Sequence, residues 1–492
     1  MSQIDTFCAD YLLQIHQFCA NKTIIVYLKR EKCIILTKII ERACPESYND
    51  DIKTEGIEEG KGVSEREEKA FCDILAFELK KALGCTEPIA IAYTASVARR
   101  ALGRLPDQAL VRCSGNVIKN AKSVYVPMGG RLKGIEAACL LGAVGGNPDD
   151  KLEVLRGIRQ EDIDLAKELI RRKICLVEQL DSAEKLHIIV SLKSGDDTAE
   201  ACVRHTHTGL YRLSKNGEVL FDRETGAEGE EKEPEYQELD LESILRFSEE
   251  IDFEKSMYGK RIKELIEEQI RCNTAISEEG LRRSYGAGIG RALFRNNAED
   301  VKLRARAMAA AGSDARMNGC DLPVVINSGS GNQGITVSLP LIEYSRYLKL
   351  SHEKLLRALL LSNLTAIYQK HEIGRLSAYC GVVNAAAGAG AGISYLRGGG
   401  LREIENTIIN TLENISGIVC DGAGESCAAK IASSIDAAIM GSDMAMEGIR
   451  FSRDDGMVKD NFRKTLDGVV KLAKEGMRET DQVILDIMIH ET

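Results

Sequence analysis

Tryptophan is absent from this 492-residue chain, aromatic residues make up 5% of it, and proline numbers only 8. So few aromatics argue against an aromatic-filled β-sandwich; with 44 glycines, they point to small residues that let helices pack closely. An excess of positive charge is also missing. Lys and Arg total 65 against 75 Asp and Glu, a net charge of −10, which disfavours duplex DNA or an anionic membrane surface as partner. Dominant disorder is excluded by 44% hydrophobic and 28% charged residues, an ordinary globular balance. The opening Met1-Ser2-Gln3-Ile4-Asp5 lacks the basic and apolar regions of a secretory leader. Leu376 to Leu396 carries no charge, but it is built of Ala, Gly, Ser and Asn384 rather than large aliphatics. It reads as tightly packed, buried helix and not as a bilayer span.

Cysteine, by contrast, is plentiful: there are 15, an odd number. Without a leader, the expected compartment is the reducing cytoplasm, where thiols stay free as core residues or ligands. The length allows roughly two to four domains. Residues 1–66 read as an extension, with a strand and helix over 23–43 and an acidic stretch before Ser64. From Glu65 the apolar spacing of Phe71, Ile74, Leu75, Phe77, Leu79 and Leu83 is helical, Gly84 breaks it, and Pro88 opens a helix over 89–102. Short strands follow at 109–113 and 123–126, then an antiparallel meander at 187–192, 201–207 and 209–213, with helices at 134–143 and 161–171. Residues 222–240 form an acidic linker, and beyond Leu241 the pattern is helical with glycine-rich breaks at 284–290, 327–334, 388–400 and 421–424. The expected fold class is α+β: an α/β domain with antiparallel strands over 67–235, then a larger all-helical domain over 240–492.

Four cysteines stand out by context. Cys85, in Gly84-Cys85-Thr86-Glu87-Pro88, precedes a helix start, where the helix dipole and the upstream Lys80 and Lys81 favour a thiolate. Cys380 lies in Ser377-Ala378-Tyr379-Cys380-Gly381. Cys420 and Cys427 bracket the glycine-rich Asp421–Ser426 loop, whose N–H groups can point at sulfur. Taken singly, each reads equally as a buried packing residue, and the Cys420–Cys427 spacing is neither a ferredoxin nor a zinc-finger pattern.

A second constellation, Asn327-Ser328-Gly329-Ser330-Gly331-Asn332-Gln333-Gly334, opens a helix. With Ser328, Ser330, Asn332 and Gln333 it suits a carboxylate cradle, or else it is a plain glycine turn. It has neither a P-loop lysine nor the dinucleotide pattern. His205 and His207 alternate on a strand and so share a face, as a structural pair or the start of a metal site. His371 is a candidate substrate contact, with Lys370 and Arg375 as alternatives. No Ser-His-Asp order or HExxH motif supports a hydrolase.

Together, Cys85-Thr86-Glu87-Pro88, the Asn327–Gly334 run, Gly374–Gly381 and Cys420–Cys427, in that order, resemble the iron–sulfur L-cysteine desulfidase family, relatives of the iron–sulfur L-serine dehydratase alpha chain. The resemblance runs from about Glu67 to near the C-terminus and leaves the extension uncovered. It implies a [4Fe-4S] cluster held by Cys380, Cys420 and Cys427 in the helical domain, with Cys85 as the base rather than a ligand. It also implies conversion of L-cysteine to sulfide, pyruvate and ammonia without pyridoxal phosphate. The competing readings are an L-serine dehydratase or other small amino acid β-eliminase, a non-catalytic iron–sulfur or thiol redox sensor, and a zinc protein. The expected partner is a small amino acid, with no nucleic acid and no membrane; a homo-oligomer is allowed.

Overall fold

The structure is a computed structural model that describes residues 63–225, 233–237, 239–296 and 299–489. The strand and helix expected over 23–43 lie outside these residues. Gly62–Thr492 forms one compact unit, and its fold is α+β.

Helix α1 (Glu65–Glu78) starts with a capping box in which Ser64 and Glu67 satisfy each other's backbone N–H groups. Its Phe71 stacks on Phe247 with ring centroids 4.3 Å apart. Strand β1 (Lys81–Leu83) leads into α2 (Thr86–Leu102), which Gly103 ends at φ +87°. Then come β2 (Gln108–Cys113), α3 (Gly115–Ala121), α4 (Gly134–Gly145), α5 (Gln160–Arg171) and β3 (Cys175–Gln179). The meander is β4 (His187–Ser194), β5 (Asp197–Arg204), β6 (Leu210–Lys215) and β7 (Glu218–Asp222). These strands form one sheet in the order β3-β2-β4-β5-β6-β7, antiparallel except for the parallel β2–β3 pair. Ile188, Val190 and Leu192 of β4 with Ala199, Ala201 and Val203 of β5 are buried, as the two-residue period requires of a sheet covered on one face. Helix α2 packs on both strands.

Strands β3 and β7 are not anticipated by the sequence pattern, and the strand expected over 123–126 is absent. There the chain makes only a single bridge, Tyr125 to Lys133, because Pro127 and the left-handed Met128 and Gly130 turn it back on itself. The strand expected to reach residue 207 stops at Arg204; His205 is left-handed at φ +65°, so His205 and His207 do not share a strand face.

The helical part comprises α6 (Leu241–Glu250), α7 (Met257–Arg282), α8 (Ile289–Asn296), α9 (Val301–Met317), strand β8 (Pro323–Val325), α10 (Gly331–Tyr347), α11 (His352–Ile373), α12 (Gly381–Leu396), α13 (Leu401–Ile415), α14 (Ser426–Met446), α15 (Phe462–Lys471) and α16 (Arg478–Ile489). Helix α12 is its axis, packed by α10, α11, α13 and α14, and Val382 through Leu396 are all buried. That explains the uncharged Ala/Gly stretch. A Cβ on Gly388 would lie 2.6 Å from the Ser362 carbonyl, so this glycine permits close helix contact and does not end the helix, and the break expected from 388 begins only after Leu396. Among the described residues no helix is long and apolar enough to cross a membrane. Several contacts tie the sheet-bearing and helical parts together, among them α1 on α7 and β1 paired antiparallel with β8. This pairing draws the Cys85 segment toward the Asn327–Gly334 loop.

Candidate active site

One cavity of about 100 Å³ is lined by Cys85, Thr86, Glu87, Ser328, Ser330, Asn332, Gln333, Cys380, Cys420 and Cys427.

Cys380 is the N-cap of α12 and Cys427 lies in the first turn of α14, so both sulfurs sit near positive helix ends. Cys420 is held against Cys380 by a short ladder in which Cys380 N–H donates to Ile418 O at 3.1 Å and Cys420 N–H to Ala378 O at 2.6 Å. Three cations, Lys119 and Lys370 buried and Lys430 half-buried, stand around this trio. Lys430 Nζ donates to Val419 O at 3.1 Å and pairs with Asp421. Lys119, 2% exposed, donates to Cys420 O at 3.0 Å and to Asp481 of α16 at 2.6 Å. Lys370 is buried in the cavity wall, and burial draws its ammonium down to about 8. Burial, then the neighbouring Cys420, pushes the Cys380 thiol up to about 12, and burial raises Cys427. Metal binding here must therefore displace thiol protons. Among the described residues no three His, Cys, Asp or Glu side chains converge tightly enough for a single metal ion. A four-iron cluster spreads its thiolates wider than a single ion does, and its negative charge suits the lysines, so the donor set fits such a group.

Cys85 is the N-cap residue of α2 and packs with Val124, Met317, Ala423 and Cys427. Its thiol donates to Glu87 Oε2 at 3.2 Å and faces Asn120 O at 3.8 Å. Burial, reinforced by the Glu87 charge, pushes this thiol well above its ordinary value, so the resting group is a protonated thiol and not the expected thiolate. The lysines invoked from sequence are engaged elsewhere: Lys80 lies over the Phe77 ring and Lys81 faces Glu153 at 3.6 Å. Glu87 in turn accepts from Thr86 Oγ1 at 3.1 Å and Asn120 Nδ2 at 3.0 Å. Burial raises its carboxyl, but His207 and Cys85 beside it outweigh that and hold it well below the usual range. His207 Nε2 lies 3.8 Å from Glu87 Oε1, an ion-pair separation, and has no hydrogen-bond partner.

The loop arrives through two left-handed residues, Ser328 (φ +50°) and Gly329 (φ +79°). Thr86 Oγ1 donates to Gly329 O at 3.0 Å, and a Cβ on Gly329 would press on the His207 ring at 3.1 Å. Ser328 Oγ donates to Asn327 Oδ1 and Asn332 Oδ1 accepts from Ser313, whereas Gln333 Oε1 is buried without a partner. His371 stands apart. It stacks on Tyr236 at 4.0 Å and lines a neighbouring recess with Glu78 and Arg375, which bind each other at 2.8 Å. Lys370, one residue earlier, faces both spaces. His205 is exposed and pairs with Glu184 at 3.3 Å.

With this geometry in place, the sequence profile of the serine dehydratase alpha chain matches residues 149–486. The chain belongs to that family. A UPF0597 protein of Lachnoclostridium phytofermentans is 54% identical over 422 residues, covering 86% of this chain and all of the relative. Another from Treponema denticola is 44% identical over 426 residues, covering 86% and 98%. The serine dehydratase alpha family carries iron–sulfur-dependent lyase chemistry of the amino acid dehydratase kind. Two cavity residues carry no signal in the sequence reading, Asn120 and Arg316, which reach the site only through the tertiary fold; His207, read there as the strand mate of His205, reaches it because the strand ends at Arg204. Glu87 had one, its place two residues after Cys85.

Proposed function

We propose that this protein is a pyridoxal phosphate-independent L-cysteine desulfidase that eliminates sulfide from L-cysteine to leave pyruvate and ammonia, with a [4Fe-4S] cluster on Cys380, Cys420 and Cys427. The observation that supports it is the convergence of these cysteines, from two distant segments, on the cavity that also holds Cys85. When bound, such a cluster supplies an open, thiophilic iron as Lewis acid. Cys85 would remove the α-proton at Sγ as a thiolate, its own proton having gone to solvent, with Glu87 Oε2 orienting the sulfur through the bond they share. Thr86 and Asn120 hold Glu87 in place beside the sulfur. Leu376, Val382 and Ala423 in the lining limit water near the proton transfer. The N-terminus of α10, with Ser328, Ser330, Asn332 and Gln333 nearby, orients the substrate. The reducing cytoplasm is the compartment that suits so many free thiols.

L-Serine is the second reading, favoured by the family's description as a serine dehydratase. An anaerobic assay of iron-reconstituted protein with each amino acid, quantifying pyruvate and sulfide, separates them. Equal pyruvate and sulfide from L-cysteine, with little pyruvate from L-serine, is the expected outcome. Pyruvate mainly from L-serine would transfer the proposal to the dehydratases, and no product from either at full iron loading would end it.

A further inference from the structure

The cavity contains a cation with no carboxylate partner among the described residues. Arg316, in the last turn of α9, is 2% exposed yet lines the cavity wall. Among the described residues no Asp or Glu pairs with it. Its Nη1 contacts only the Met317 sulfur, at 3.3 Å, and its Nε is buried with no hydrogen-bond partner. A buried guanidinium without an anion is strongly unfavourable, so its retention calls for an anionic ligand. The guanidinium lies flat on the start of α10: a Cβ on Gly331, the first residue of that helix, would collide with Arg316 Nε. The N-cap Ser330 makes no side-chain bond to the helix end. An unpaired planar fork and an uncapped helix N-terminus thus meet at one place, two positive features that only an anion between them reconciles. The thiol trio has cations of its own in Lys370, Lys430 and Lys119, and Arg316 is near enough to Cys85 and Cys427 to favour their charged forms, so iron content is read alongside affinity below.

We infer that Arg316 and the N-terminus of α10 bind the α-carboxylate of a small amino acid, making Arg316 the residue that selects α-amino acids over amines lacking that group. This rests on the β-eliminase reading above.

The test uses anaerobically reconstituted protein and L-alanine, which carries the carboxylate and amine but no leaving group, with binding measured by titration calorimetry. Ethylamine is the carboxylate-free control. L-Alanine should bind wild type and ethylamine should not. Arg316→Gln should weaken L-alanine by about 10- to 100-fold, the range for a hydrogen bond to a charged group, with iron and labile sulfide unchanged. Arg316→Lys should fall in between, since it keeps charge but loses the planar fork; it also provides the reading if the glutamine variant does not fold. Wild-type affinity in either variant would overturn the assignment, as would loss of iron in step with loss of affinity, which would make Arg316 a partner of the cluster. Wild type that turns over L-cysteine or L-serine while Arg316→Gln binds normally sinks this inference alone. Fully loaded wild type that neither binds nor converts any amino acid sinks both.

Discussion

Two cysteine trios lie in this molecule, and they differ in their company rather than in their burial. Cys113 of β2, Cys139 of α4 and Cys175 of β3 sit in the core under the sheet, the first two fully enclosed. Cys380, Cys420 and Cys427 line the cavity and are, if anything, less enclosed. Among the described residues no cation is seen to act on Cys113 or Cys139. Cys113 is raised by burial and Cys175, and Cys139 by its bond to Cys175 and by burial, with Glu136 adding to the effect. Around the cavity trio stand Lys119, Lys370 and Lys430, and two of the sulfurs occupy helix starts. Burial alone makes a cysteine an apolar filler; helix ends and neighbouring ammonium groups offset part of what burial costs a thiolate, which suits the proposed ligand role.

Loss of a cavity thiol should have the largest effect. Cys380→Ala, Cys420→Ala and Cys427→Ala should each abolish stoichiometric iron and labile sulfide after anaerobic reconstitution, and activity with them. Full iron in any one variant would remove that residue from the ligand set and blur the contrast between the trios.

Next comes Cys85, a cavity cysteine whose neighbour is an anion. Cys85→Ala should keep its iron and lose about 10²- to 10⁴-fold in kcat, the span of a general base. Loss of iron instead would make it a ligand or a structural residue.

These contrasts were unevenly legible in the sequence. The local motifs name Cys85, Cys380, Cys420, Cys427 and the Asn327–Gly334 run because each carries its glycines or proline beside it, and the α+β class follows from a period that changes from two to mixed three and four. Arg316 and Asn120 are invisible there, and His207 shows only as the mate of His205, since all three matter through what the β1–β8 pairing and the end of β5 bring near them. The expected thiolate at Cys85 fails for a related reason. A helix start lowers a thiol's proton affinity, but complete burial beside a carboxylate raises it more, and burial cannot be read from the motif. For the 370–375 segment the sequence gives the place but not the face: one residue along α11 turns the side chain by about 100°, and Lys370 enters the cavity while His371 stacks on Tyr236.

The pH dependence sharpens the Cys85 contrast. Its thiol is raised, so the base form is scarce at neutral pH, and kcat/KM should climb with pH above the ordinary thiol range. Glu87, whose charge favours the protonated thiol, is the second cause of that shift after burial. In Glu87→Gln that contribution disappears, the thiol's proton affinity falls, and the rising limb should move to lower pH even if its plateau drops because the sulfur is held less well. A limb that stays in place would mean that another group sets it.

The smallest effect is expected under the sheet. Cys139→Ala removes one sulfur from a site between α4 and β3 that has no cavity, cation or open helix end. The loss is that of a small buried group and the void it leaves, about 1–2 kcal/mol of unfolding free energy, read from denaturant midpoints. Iron content, labile sulfide and KM should match wild type, because the change is confined to packing on the far side of α2 and no charge near the cavity is altered. If Cys139→Ala, or the same change at Cys113 or Cys175, lowered iron loading while the midpoint held, the sheet trio would be a metal-handling site after all, and electrostatic surroundings would no longer distinguish filler from ligand in this chain.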